Sequence, residues 1–200
     1  MNQPLQGYQL PASYYYSAEW FEREQRDLFS NQWGFAGFAH ELDKPGDFIV
    51  TEVGDYPLLI TKDSAGALNA VHNLCRHRGI KLKSESGNVK AITCPYHAWR
   101  YALDGRLEHI PQHKTQFPAV QLEDWNLHKG SVEIWDGMVF VHAQPNAPDL
   151  KQWLGGLADR LKRFQAHNLV ELATHTYKMQ ANWKFYIENH IDWLHLYYLH

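Results

Sequence analysis

Cysteine is nearly absent from this chain, with two in 200 residues. No apolar run approaches the roughly 18 residues that a spanning helix needs, so no membrane span is expected. The amino terminus has no cationic stretch leading into an apolar one, so no secretory signal is expected either. Charge of one sign is also lacking. Nineteen Lys and Arg stand against 22 Asp and Glu, a formal net charge of −3. No basic stripe argues for nucleic acid and no acidic tail argues for a solvating segment. No internal repeat or low-complexity segment occurs. What is abundant is apolar surface: 44% apolar residues, with eight Trp, eleven Tyr and nine Phe. That is enough for a sizeable core in one or two domains.

Both cysteines sit in matched half-motifs, Cys75-x-His77 and Cys94-x-x-His97, separated by 16 residues. A [2Fe–2S] centre of the Rieske kind needs two thiolates on one iron and two imidazoles on the other. Each half-motif supplies one of each. Two rivals stand beside this reading. His77 and His97 could be ordinary polar neighbours, or the four could hold a structural zinc. Zinc sites, however, usually pair Cys with Cys and His with His, whereas each half-motif here mixes them. With both cysteines assigned to a cluster, no disulfide is needed, and a bacterial-type cytoplasm fits.

The patterning predicts an α+β chain. Residues 17–31 read as a helix with Ser17 as N-cap. Residues 34 to about 145 read as short strands. Segments 46–53, 56–62 and 67–73 are three of them, with a turn at Asp63-Ser64-Ala65-Gly66. Asp104-Gly105 and Asp136-Gly137 each read as a hairpin turn, the first between 99–103 and 106–109, the second between 132–135 and 138–142. Pro145 and Pro148 mark a boundary. An amphipathic helix follows, carrying Leu150, Trp153, Leu154, Leu157, Leu161 and Phe164, with Gly155-Gly156 as its weak point. Residues 169–180 read as a strand and 185–200 as a helix. The division expected is an N-terminal helical segment (1–33), a β-domain (34–147) and the start of a second domain (148–200). The chain stops inside an apolar, helix-like pattern without a cap, which reads as a piece of something longer.

The flanks Cys75-Arg76-His77-Arg78-Gly79 and Cys94-Pro95-Tyr96-His97-Ala98-Trp99 resemble the Rieske loops of ring-hydroxylating, non-haem iron oxygenases. Respiratory Rieske proteins carry a further Cys in each loop, where this chain has Ile80 and Tyr96. They also place a Ser that donates to a cluster sulfur, where it has Ala98. Fewer donors to sulfur imply the low end of the Rieske potential range. Arg76 and Arg78 are expected to form a solvated collar, and Trp99 to pack against the cluster loop.

The stretch Asn182-Trp183-Lys184 through Glu188-Asn189-His190-Ile191-Asp192 to His195 and His200 resembles the start of the catalytic domain in the same α subunits. The resemblance implies that His195 and His200 are two ligands of a mononuclear Fe(II). A carboxylate beyond residue 200 would complete a facial triad that leaves positions open for O₂. Asp192 then matches the acidic residue that bridges between iron sites. Asp192 and His195, three apart, share a face of a helix. His195 and His200, five apart, do not, so a distortion is expected between them. The remaining histidines, among them His72 and His128, have no partner spacing and are expected to be surface or structural.

The fold implied is a Rieske-type antiparallel β-domain followed by the beginning of a helix-grip-like catalytic domain. The function implied is an oxygenase component, mono- or dioxygenase. It takes electrons at the cluster and passes them through Asp192 to Fe(II), which activates O₂ to hydroxylate an organic substrate, an aromatic one among the options. Some aromatic-ring dioxygenases have one more residue between Glu-Asn and the bridging acid, and the shorter spacing here weakens inference to a particular aromatic substrate. The partners implied are an NAD(P)H-dependent reductase with or without a ferredoxin, a homotrimer in which His97 of one subunit meets Asp192 of the next, and in some branches a β subunit. A bare electron-carrying module and a zinc-stabilised domain are the alternatives.

Overall fold

The computed structural model describes residues 10–199. Contacts divide the chain into two compact units. One is Gln25–Leu169; the other joins the residues up to Glu24 with those from Val170 on. Among the described residues no helix is long and apolar enough to cross a membrane.

The first unit contains ten short strands: β1 (Gly34–Phe38), β2 (Asp47–Val53), β3 (Tyr56–Lys62), β4 (Leu68–His72), β5 (Gly87–Asn88), β6 (Ile92–Thr93), β7 (Arg100–Tyr101), β8 (Leu107–His109), β9 (Ser131–Trp135) and β10 (Met138–His142). They form three antiparallel sheets, in the orders β1-β10-β9, β4-β3-β2-β5 and β6-β7-β8. The expected strands and turns are found with small changes of boundary. At 63–66 the Asp63 carboxylate accepts from the Ala65 and Ala67 N–H groups, both at 2.9 Å. At the β9–β10 turn, Asp136 and Gly137 have φ of 49° and 82°. Positive φ at both central residues makes a turn whose twist matches the strands it joins.

Burial explains why the β-domain holds together. Leu58, Leu59, Ile60 and Thr61 of β3 are all fully buried. Side chains alternate along a strand. Leu59 therefore joins a core containing Phe48, Val71, Trp99, Cys75 and Cys94, while Leu58 and Ile60 join a second core with Ile49, Val139 and Val141. The first core lies directly beneath both cysteines.

Asp136 also closes the unit's end. Its carboxylate accepts from the Ala166 N–H at 2.8 Å and is paired with the His167 ring. The hydrogen bond from His167 is the main cause holding this carboxyl below its ordinary value. A depressed folded-state pKa stabilises above the unfolded value, about 3.9, and that contribution disappears as pH falls through the lower, folded one. The melting temperature is therefore expected to drop with acidification below about pH 4, less steeply in Asp136→Asn. Parallel melting curves for the two proteins across that range would remove Asp136 from the acid response.

The contact units divide the chain at other points than the expected boundaries. The helix after Pro148 does not open the second unit. It packs on the β-domain, where Leu150, Leu154 and Ala158 bury with Trp33 and Phe140, and the Trp33 indole N–H donates to the Pro148 carbonyl at 2.8 Å. The contact boundary therefore falls after Leu169 rather than at the prolines, and after Glu24 rather than residue 33. That helix breaks at Gly155 into Leu150–Leu154 and Gly156–Leu161. The N-terminal helix is capped by Ser17, whose hydroxyl accepts from Trp20 N–H at 3.4 Å. It changes from α (Ala18–Arg23) to a π-turn (Glu24–Leu28) and a 3₁₀ turn (Phe29–Asn31).

The strand expected at 169–180 is not one. These residues are exposed and lie outside every strand. Strand character depends on a hydrogen-bonded neighbour, and among the described residues none pairs with this segment. The helix that follows, Trp183–Ile191, starts at Asn182, whose side chain accepts from Lys184 N–H at 3.1 Å. Lys184 is buried, and its Nζ donates to Glu24 Oε1 at 2.6 Å. Trp183 Nε1 donates to the other oxygen of Glu24 at 2.8 Å, and the Tyr15 hydroxyl donates to Glu188 Oε1 at 2.5 Å.

Candidate metal centre

The two half-motifs fold as matched hairpin tips. In the first, Cys75 N–H donates to Ile80 O at 2.9 Å and Gly79 N–H returns to Cys75 O at 2.8 Å. In the second, Cys94 N–H donates to Trp99 O at 2.8 Å and Ala98 N–H returns to Cys94 O at 3.1 Å. The residue four after each cysteine has positive φ, 68° at Gly79 and 54° at Ala98. A non-glycine residue there is strained and persists because the surrounding loop over-determines it. Asn73, fully buried, fastens the first tip. Its Oδ1 accepts from Leu82 and Lys83 N–H at 3.1 and 2.9 Å, and its Nδ2 donates to Lys83 O at 2.8 Å.

These tips bring the four predicted ligands together. Both cysteines are buried and free of disulfide. The His77 and His97 ring centroids are 4.7 Å apart. His77 stacks flat on the buried Trp99, at 4.9 Å and 6°, with Phe117 edge-on at 5.7 Å. His97 meets Tyr96, which is 56% exposed. Trp99 thus packs against the loop as expected.

The donor set fits a metal cluster. Nδ1 of His77 and Nδ1 of His97 are buried without a hydrogen-bond partner. Buried polar atoms are nearly always satisfied, so two orphaned imidazole nitrogens beside two buried thiols call for a bound group. Burial, and secondarily the His97 ring and the Arg78 charge, lowers the His77 pKa and keeps that ring neutral. Burial also pushes the Cys75 thiol up, and a coordinated metal ion is what turns such a thiol into a thiolate. Among the described residues no three His, Cys, Asp or Glu side chains converge as they would around a single ion. A binuclear cluster divides its four donors two and two, and needs no such convergence.

Tyr101 was missed in the sequence and belongs to the site. Its hydroxyl lies 3.4 Å from Cys75 Sγ and accepts from Arg76 N–H at 3.1 Å. Either atom of the Tyr101–Cys75 contact can be the donor; once the sulfur is a metal-bound thiolate it can only accept, and the hydroxyl then donates to it. Burial, then the contact with Cys75, drives its pKa far above the ordinary phenol value and keeps that proton in place. The signal was available, since inside–outside alternation in β7 leaves Arg100 exposed and Tyr101 fully buried. Arg76 also departs from the expected solvated collar. Its guanidinium is bonded to Nε2 of His128 and lies 5.9 Å over Trp125, while its Nε is buried. Arg78 is exposed, as expected.

The second predicted site is only partly described, because His200 lies outside the described residues. The helix does not run on through Asp192. It ends at Ile191, and a short helix, Leu196–Leu199, follows. Among the described residues the break falls at 192–195, and the distortion expected between His195 and His200 reaches outside them. Asp192 leaves the helical region, with φ −82° and ψ 103°, and its Oδ1 accepts from Leu194 N–H at 2.9 Å. That local bond competes with the helix ladder. Asp192 Oδ2 still reaches to 3.6 Å from His195 Nδ1, with the carboxylate side chain 53% exposed and that of His195 16%.

Comparison with known proteins agrees with this geometry. A family model described as Rieske [2Fe–2S] domain matches residues 32–133. The chain is 33% identical over 187 residues to the glycine betaine monooxygenase oxygenase subunit of Chromohalobacter salexigens, covering 93% of this chain and 42% of that protein. It is 31% identical over 173 residues to biphenyl 2,3-dioxygenase subunit alpha of Rhodococcus jostii, covering 84% and 38%. A solved quaternary ammonium Rieske monooxygenase, described with carnitine oxidation and inter-subunit electron transfer, superposes with a TM-score of 0.88 at 31% identity, over 95% of this chain and 53% of that one. The chain spans less than half the length of these two curated relatives.

Proposed function

Because the chain belongs to the Rieske [2Fe–2S] domain family and is homologous to oxygenase α subunits, we propose that it is the N-terminal part of a Rieske oxygenase that hydroxylates an organic substrate. The observation that supports this most is the pair of matched tips, each presenting a buried thiol and an unpartnered imidazole nitrogen. Cys75, His77, Cys94 and His97 hold the cluster. His195 and His200 supply two of the three ligands of a mononuclear Fe(II). When bound, the cluster supplies single electrons and the Fe(II) an open face for O₂.

The chain's own residues then have separate tasks. Tyr101 donates to the Cys75 sulfur. Trp99 and Phe117 wall in His77, and the half-buried His97 lies beside the exposed Tyr96. Asp192 orients His195, and its half-exposed carboxylate has acceptor capacity left for an imidazole N–H such as that of His97 in a neighbouring subunit. Heterologous ring closure into a homotrimer makes that meeting regular. An NAD(P)H-dependent reductase, directly or through a ferredoxin, supplies the electrons in the cytoplasm. The quaternary ammonium oxygenases match over 90–95% of the chain, against 72–88% for the aromatic-ring dioxygenases. Together with the short spacing before Asp192, this favours a small quaternary ammonium substrate.

Iron content tests the reading on the native protein. Two irons from the cluster plus one more per chain are expected, with a mixed Cys/His cluster signal in reduced-state EPR. Two irons alone would make it a carrier, and none would return the zinc reading. Asp192→Asn is expected to retain both metals while turnover falls about 10- to 100-fold. Normal turnover in that variant would remove Asp192 from the path.

A further inference from the structure

Three buried polar atoms of the cluster loops lack a partner, and the two histidine nitrogens account for only two of them. The third is Arg76 Nε. Arg76 stands between Cys75 and His77, and its guanidinium is always charged. It is anchored on two sides. One terminal nitrogen donates to His128 Nε2, and the Cζ lies 5.9 Å over the Trp125 ring. Trp125 in turn packs edge-on to Trp99 at 5.7 Å, and Trp99 carries His77. The anchor is an imidazole rather than a carboxylate. Because arginine can only donate, His128 must accept through a bare Nε2, so it is neutral. Burial, then Arg76 and His72, lowers its pKa in the same sense. The cation therefore keeps its full charge beside the cluster loop.

We propose that Arg76 is a potential-setting residue of the metal centre, a permanent cation that His128 and Trp125 hold in place without neutralising it. The inference rests on the cluster reading above. Two ferric ions, two sulfides and two thiolates sum to zero charge. One-electron reduction makes the centre singly negative, with no bond made or broken. A fixed positive charge nearby stabilises only the reduced form, and so raises the potential. Part of the low-potential expectation, which counted only donors to sulfur, is thereby offset by charge.

The test is the midpoint potential of the intact holoprotein, read by EPR or visible absorbance during dithionite titration. Arg76→Met is expected to shift the reduction equilibrium about tenfold toward the oxidised form, about 59 mV downward. Arg76→Lys should keep most of the wild-type value. A shift below twofold in Arg76→Met, or an equal fall in Arg76→Lys, overturns the proposal. If Arg76→Met fails to assemble the cluster, His128→Leu decides, because it changes an exposed anchor and leaves the cation. A lower potential there supports the proposal, and an unchanged one overturns it. Absence of any cluster signal in the unmodified protein would instead overturn the functional reading.

Discussion

Cys75→Ala and Cys94→Ala are each expected to yield a colourless protein with no reduced-state cluster signal and no measurable turnover. Each removes one of two thiolates, and neither loop holds a spare, because these are the only cysteines in the chain. The effect reaches stability as well. Cysteine ligands must be deprotonated and gathered at one point, so metal-binding free energy is in large part folding free energy. Without a cluster, the buried nitrogens of His77 and His97 lose their partner, at roughly 1–3 kcal/mol for each unsatisfied group. The measurement is iron content and visible absorbance, followed by urea denaturation. A variant that retained the signal would disprove the ligand assignment for that position.

Lys184→Met carries the second large expectation, in the other unit. The Lys184 and Glu24 side chains are only 6% and 13% exposed, and their charged atoms lie 2.6 Å apart. Removing the lysine leaves a buried carboxylate with, among the described residues, the Trp183 indole N–H to satisfy it. Breaking one side of such a pair costs about 3–5 kcal/mol, whereas replacing both charges is often close to neutral. The single variant should therefore unfold at markedly lower urea concentration, and Glu24→Gln combined with Lys184→Met should recover much of the loss. A single variant within about 1 kcal/mol of the parent, well under that range, would mean the pair is solvated. The helix this pair secures, Trp183–Ile191, leads straight into Asp192 and His195, so the iron content of the single variant is a second readout.

Much of the β-domain was legible in the sequence because its cues are local. Asp63 with Gly66, and Asp136 with Gly137, place turns wherever positive φ or a side-chain bond to the backbone is needed. The alternation in 56–62 marks a strand whichever partner it finds. The candidate cluster ligands stand out for a related reason: coordination chemistry restricts residue types and spacing so tightly that two Cys/His pairs are informative alone. The segment at 169–180 was misread because strand character belongs to a pair of chains, not to one. That the helix after Pro148 packs on the β-domain was not legible, because amphipathic spacing says that a face is buried, not against what. Its partners, Trp33 and Phe140, are more than a hundred and about ten residues away from its start, respectively.

By itself the sequence determined which four side chains are proposed to meet a metal, which turns form and which residues are apolar enough to be inside, since each depends on chemistry within a few bonds. The tertiary structure decided what surrounds those ligands. It alone brought the Tyr101 hydroxyl to the Cys75 sulfur, the neutral ring of His128 to Arg76, and Glu24 to Lys184. These contacts join residues 26, 52 and 160 positions apart. No local pattern encodes them, because burial and hydrogen-bond satisfaction are settled only once the whole core has closed.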